Sequence, residues 1–162
     1  MLNQKIQDAI NEQINKELYS AYLYLSMATQ FDAQHLPGFA HWLRVQYREE
    51  SEHALKFYRY VNERGGRVLL TAIDAPPTEF GSPLDAFTTV LEHEQKVTGL
   101  INALYELALE EKDYATQNLL RWYIDEQVEE EDSASRVVET LKFIGDKSSA
   151  LIMLDHELGH RE

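Results

Sequence analysis

Four long stretches of this chain carry apolar residues in alternating steps of three and four, and a carboxylate interrupts the stripe in every one. Steps of that size keep side chains on one face of an α-helix and mark the core seam of a helical bundle. The first seam reads Ile10, Ile14, Glu17, Ala21, Tyr24, Ala28, and the second Phe39, Leu43, Gln46, Glu50, His53, Phe57, Tyr60. The third reads Phe87, Leu91, Glu94, Thr98, Ile101, Tyr105, Ala108, and the fourth Leu120, Tyr123, Gln127, Glu130, Ala134, Val137, Leu141. The 7 Gly and 4 Pro are mostly gathered at a few breaks, so the stretches between them run long, as helices do and short strands do not.

The breaks set the topology. They fall at Leu36-Pro37-Gly38, from Gly65 to Pro83, near Asp113, and from Gly145 to Ser149. Gly65-Gly66 suits a left-handed helix end, and Ser82-Pro83-Leu84-Asp85 suits a helix start with Ser as cap. The short breaks at Pro37 and Asp113 make helices one and two antiparallel, and likewise three and four. The break from Gly66 to Ser82 can span ~55 Å when extended, more than the ~40 Å length of a helix of ~27 residues. It can climb the whole bundle and leave helices two and three parallel. The expected fold is all-α: one domain over residues 1–162, with a four-helix bundle at about 4–144, one long crossover, and a short fifth helix at about 149–158.

Burying an isolated carboxylate costs several kcal/mol even after relaxation. Four of them on facing seams, with no Lys or Arg on those seams beside them, point to a bound cation. Any one of these acids alone reads as a surface position, and His53 alone reads as a hydrogen-bonded structural histidine. Their joint occurrence on four seams carries the metal reading. Oxygen ligands with one imidazole and no sulfur suit iron(II) or manganese(II) better than structural zinc or copper(I). Helix four offers Gln127-x-x-Glu130 in place of a second Glu-x-x-His, so the second metal position lacks a histidine. That asymmetry favours iron that passes through as substrate over iron that stays as cofactor. Glu49 and the run Glu126, Glu129, Glu130, Glu131 leave two readings open: a solvated acidic face, or a third metal position built from Glu49, Glu126, Glu129 and Glu130.

Composition narrows the classes further. The formal net charge is −13, from 28 acidic and 15 basic residues, which disfavours a nucleic-acid partner. The absence of Cys removes disulfide frameworks, thiol catalysis and thiolate metal sites, and fits a reducing compartment. Neither a signal peptide nor a membrane span is visible, so a cytoplasmic protein with no membrane partner is expected.

Several stretches resemble the bacterial non-haem ferritins: Glu17-Leu18-Tyr19-Ser20, Glu49-Glu50-x-x-His53, His93-Glu94-Gln95, and Trp122-Tyr123-x-x-Glu126-Gln127-x-Glu129-Glu130. The resemblance covers nearly the whole chain. It implies a ferritin-like bundle, a homo-oligomeric shell of twenty-four subunits, and ferroxidase activity in which dioxygen or peroxide oxidises Fe(II). It implies a first iron held by Glu17, Glu50 and His53, and a second held by Glu50, Glu94 and Glu130 with Gln127 close by. It also implies the third position, and a Tyr24 that supplies or relays an electron; Trp122 stands between a redox and a packing role. No haem is expected, since the only Met residues are Met1, Met27 and Met153 and none neighbours Glu50 or His53.

Some features do not carry over. The acidic gates of animal ferritins correspond, aligned without gaps, to Gln117 and Leu120, neither of which is acidic. The fifth helix would line four-fold channels in this family, or it is an ordinary docked tail. Two rivals remain at this stage: a di-metal oxygenase with a lasting cofactor, and a purely structural bundle. The missing second histidine argues against the first, and the buried acids against the second.

Overall fold

The structure is a computed structural model and describes residues 1–162. It holds five helices and no strand: α1 (Gln4–Ala33), α2 (Pro37–Glu63), α3 (Pro83–Glu110), α4 (Tyr114–Ile144) and α5 (Ser148–Leu158). None is long and apolar enough to cross a membrane.

Helix starts follow side-chain caps. Asn3 accepts from Lys5 N at 2.8 Å at the head of α1. Ser82 and Asp85 form a reciprocal capping box on α3, with Pro83 in its first turn. Asp113 accepts from Thr116 N at 3.0 Å, and its carboxylate also takes two bonds of 2.9 Å from Arg64. That pair ties the end of α2 to the start of α4. Gly65 ends α2 with φ 71°, where a side chain would be strained.

α2 has no cap of its own, since Leu36 offers no acceptor. Asp155 of α5 replaces it, accepting from Gly38 N at 2.8 Å and Phe39 N at 3.0 Å. The approach is so close that a Cβ on Gly38 would lie 1.6 Å from the Asp155 carbonyl oxygen. Leu154 and Leu158 complete the docking by entering the core.

The crossover from Gly65 to Ser82 climbs α1 on a ladder of amide side chains. Gln7 accepts from Arg67 N at 2.9 Å, and Asn11 accepts from Leu69 N at 3.2 Å. Asn15 donates to Ala72 O at 2.9 Å, Ser26 to Pro77 O at 2.7 Å, and Gln30 to Gly81 O at 3.0 Å. The loop therefore runs from the start of α1 to its end, which makes α3 parallel to α2, as the loop length implies.

α1 packs closely on α2 and α3 on α4, whereas no Cα of α2 comes within 8 Å of a Cα of α4. Side chains fill that wider gap. The apolar core is split in two. One cluster gathers around Phe31, Phe39, Trp42 and Phe87 and includes α5. The other gathers around Ile10, Phe57, Ile101 and Tyr123. Each fully buried side chain of this size contributes ~1.5–3 kcal/mol, so the two clusters can carry a costly polar layer between them.

On α1, α2 and α4 the seams are buried as the sequence predicts, except that Tyr60 is half-buried. α3 is rotated: Leu91, Thr98 and Tyr105 are half-buried, and Val90, Val97 and Leu104 take the deep positions.

Candidate metal centre

The polar layer between the two apolar clusters holds the residues singled out by the seams. Glu17, Glu50, Glu94 and Glu130 are buried, along with His53, Gln127 and Tyr24. Glu17, Glu50 and His53 each offer a ligand atom, and these atoms lie within 4.8 Å of one another. His53 Nδ1 sits 3.4 Å from Glu50 Oε2, one helical turn along α2. A second group of the same size joins His53, Glu126 and Glu130. His53 Nε2 is 3.9 Å from Glu126 Oε1.

Glu94 lies in the same buried layer, where its charge acts on both Glu50 and Glu130, though it belongs to neither close-set group. Both of its oxygens are engaged by neighbouring side chains. Oε1 accepts from the Tyr24 hydroxyl, and Oε2 accepts from Gln127 Nε2 at 3.1 Å. Gln127 also donates to Glu94 O and to Thr98 Oγ1, each at 3.2 Å. Gln127 thus positions Glu94, while Tyr24 touches the carboxylate directly.

The remaining acids are under-satisfied. Glu50 has no hydrogen-bond partner on either oxygen, and Glu17 Oε2 has none. Glu17 Oε1 accepts from Gln13 Nε2 at 2.9 Å, and Glu130 Oε2 accepts from Gln46 Nε2 at 2.8 Å. Those two amides were not assigned a role from sequence, although Gln46 lies on the α2 seam and Gln13 lies one turn before Glu17. No Lys or Arg is buried in the layer.

Electrostatics record the crowding. Glu50 is pushed well above the ordinary carboxylate range, first by burial and then by the charges of Glu94, Glu17 and Glu130. Burial raises Glu94 to about 7 and Glu130 to about 8, the latter helped by the charge of Glu94. Burial also raises Glu126. Tyr24 is held neutral by burial and then by Glu94. At an effective dielectric of ~20, two unit charges ~4 Å apart attract by ~4 kcal/mol. A divalent cation facing several such carboxylates therefore outweighs the several kcal/mol that each acid costs when buried. Unpaired acceptor oxygens beside one imidazole fit a hard or borderline cation.

The other predicted residues lie just outside the buried layer. Glu49, Glu126, Glu129 and Glu130 all line one recess of ≈ 460 Å³. Glu49 and Glu126 are half-buried and Glu129 is exposed. Trp122 sets its ring edge-on to His53 at 5.4 Å, under the Lys56 ammonium at 3.6 Å. Leu120 is fully buried in the cluster around Ile10 and Phe57, and Gln117 donates to Ala108 O at 3.1 Å, so both serve the helix packing.

A helical bundle with a carboxylate-rich, single-histidine layer across its middle belongs to the class of carboxylate metal-binding bundles. A ferritin-like domain model matches residues 7–144. The chain is 44% identical over 161 residues to a bacterial non-heme ferritin of Bacteroides fragilis, covering 99% of this chain and 100% of the relative. It is 45% identical over 161 residues to one of Staphylococcus saprophyticus, covering 99% and 96%. Its backbone also matches a solved open-pore ferritin from the hyperthermophilic archaeon Archaeoglobus fulgidus, with a TM-score of 0.99, 54% identity and full coverage of both chains. The chain belongs to the ferritin family of iron-storage proteins.

Proposed function

We propose that this chain is a ferroxidase subunit: it oxidises Fe(II) at a pair of positions inside one bundle and passes Fe(III) to a mineral inside a homo-oligomeric shell of twenty-four copies. The observation that carries the reading is the buried Glu50, whose two oxygens lack any protein partner beside His53 and Glu17. Iron is the substrate here. Glu17, Glu50 and His53 would hold one ion, and Glu50, Glu94 and Glu130 the other, with Gln127 orienting Glu94. Glu49, Glu126, Glu129 and Glu130 form the third, outer position.

The balance is simple. Two Fe(II) lose one electron each, and dioxygen takes both with two protons to give hydrogen peroxide, which can oxidise further Fe(II). The protein's own work is to gather charge and to manage protons. Acids raised toward 7 or 8 by burial are partly protonated at neutral pH, and they release those protons as cations enter. Tyr24, in contact with Glu94, is placed to give up an electron while its hydroxyl proton has an acceptor at hand.

Shell formation is supported by what the single chain leaves exposed. Tyr114, Phe143, Ile152, Met153 and, in the crossover, Leu70 are each more than half exposed. Large apolar side chains left open in this number suit burial against further copies. Acidic composition and the lack of Cys suit a cytoplasmic setting.

The test is stopped-flow absorbance of Fe(III) formation in the parent and in Glu50→Ala/His53→Ala. A drop in initial rate of at least a hundredfold is expected; an unchanged rate would sink the assignment. Gel filtration with iron counting separates storage from the rival classes. A particle near half a megadalton holding many irons per subunit supports storage, whereas a small oligomer retaining two irons supports an oxygenase.

A further inference from the structure

Two cations of the protein's own line the acidic recess: Arg136, already paired with Asp132 of its own helix, and Arg161. Beyond the end of α5, Arg161 lies back along α2 and meets it at three points. Its carbonyl oxygen accepts from His41 Nε2 at 2.6 Å, its guanidinium sits 4.4 Å from the centre of the Trp42 ring, and it donates to Glu49 Oε2 at 2.7 Å. The placement is registered by the fold. Asp155 caps α2 at Gly38 and Phe39, and Leu154 and Leu158 are anchored in the core, so Arg161 is delivered to the same stretch of α2. Arg161 lines the recess together with Glu49, Glu126, Glu129 and Glu130. A surface arginine pairing with one acid needs none of this: not the ring stacking, the carbonyl anchor or the capped helix that carries it.

We propose that Arg161 is a resident counter-cation of the outer position, competing with the incoming divalent ion for Glu49. The inference rests on the reading of this recess as a cation position. An ion that uses Glu49 must move the guanidinium off that carboxylate and loosen it from Trp42. When the ion moves on, the arginine returns and the acids are again compensated. A part-exposed ion pair with one ring contact sets this competition at about tenfold in affinity. The outer position then fills last and empties first, as a point of transit should.

The experiment uses the iron-free, assembled protein and Mn²⁺, with free Mn²⁺ counted by electron paramagnetic resonance. Arg161→Gln is expected to bind the weakest class of Mn²⁺ about tenfold more tightly, with the class lost in Glu50→Ala unchanged. Arg161→Lys, which keeps the charge but not the planar stack, should fall between the two. Unchanged or weaker Mn²⁺ binding in Arg161→Gln overturns the proposal. If instead Glu126→Gln fails to remove any Mn²⁺ class, the recess is not a cation position and the reading beneath the proposal falls with it.

Discussion

Replacing Glu130 by glutamine should make the iron-free protein more stable and a worse oxidase. Glu130 is buried, and its folded-state pKa of about 8 stands above the ordinary 4.5. A carboxyl group raised in this way holds its proton more tightly in the folded chain than in the unfolded one. Its penalty is absent below pH ~4.5, grows as pH rises, and is complete above pH ~8. A shift of this size corresponds to a ceiling of ~5 kcal/mol at 1.36 kcal/mol per unit. Relaxation of the site reduces this, and ~2–4 kcal/mol is a reasonable expectation for the neutral isostere. The Gln46 amide can donate to the new side chain as it does to the old, so little packing is lost. In a domain of this size each kcal/mol moves the melting temperature by ~2–4 °C. Calorimetry at one scan rate should show Glu130→Gln melting roughly 5–15 °C above the parent at pH 8, with most of the gap gone at pH 5. Stopped-flow oxidation of Fe(II) by the same variant should be slower. If the gap at pH 8 is no larger than at pH 5, the account of this layer as uncompensated charge is wrong.

Two further outcomes test other parts of the structure. Tyr24→Phe keeps the buried ring but removes the donor to Glu94; it should leave helix content unchanged, lower the melting temperature by several degrees through the ~1–3 kcal/mol cost of an orphaned buried oxygen, abolish any tyrosyl radical signal, and slow iron oxidation several-fold in stopped flow. Gly38→Ala drives a Cβ into the Asp155 carbonyl, so α5 should undock; limited proteolysis is expected to cut between Gly145 and Ser149 many times faster than in the parent, and equal cutting rates would contradict the docking described.

How far the sequence could be read depended on whether the information was local. Helical periodicity placed Glu17, Glu50, His53, Gln127 and Glu130 on buried faces, since steps of three and four suffice to define a face when the opposite side is polar. α3 was harder. Leu91 and Val90 are both apolar neighbours, so the pattern could not say which of two adjacent stripes faces inward, and the helix turned out rotated toward Val90, Val97 and Leu104. Glu94 was legible because it lies inside either stripe. Its hydrogen-bond partners were not, because Tyr24 and Gln127 meet it from other helices. Arg161 carried no signal at all: its partner Glu49 lies 112 positions away, and nothing near either residue marks the pairing. The long crossover was legible as a length, whereas the amide ladder that fixes its course became clear only from the spacing of Gln7, Asn11 and Asn15 against Arg67, Leu69 and Ala72.

The borrowed cap on α2 has a consequence for how the chain is made. Gly38 and Phe39 emerge early from the ribosome, but the carboxylate that receives their amides is encoded 117 and 116 positions later. Until Asp155 has been released from the exit tunnel, the first turn of α2 lacks its partner and the cluster around Phe31 and Phe39 lacks Leu154 and Leu158. A chain lacking α5, even one containing every residue of the buried carboxylate layer, would therefore carry a frayed helix start and an open apolar end. α5 thus acts as a late seal: until residues 154–158 are made, neither the start of α2 nor the apolar end of the bundle beside it is closed.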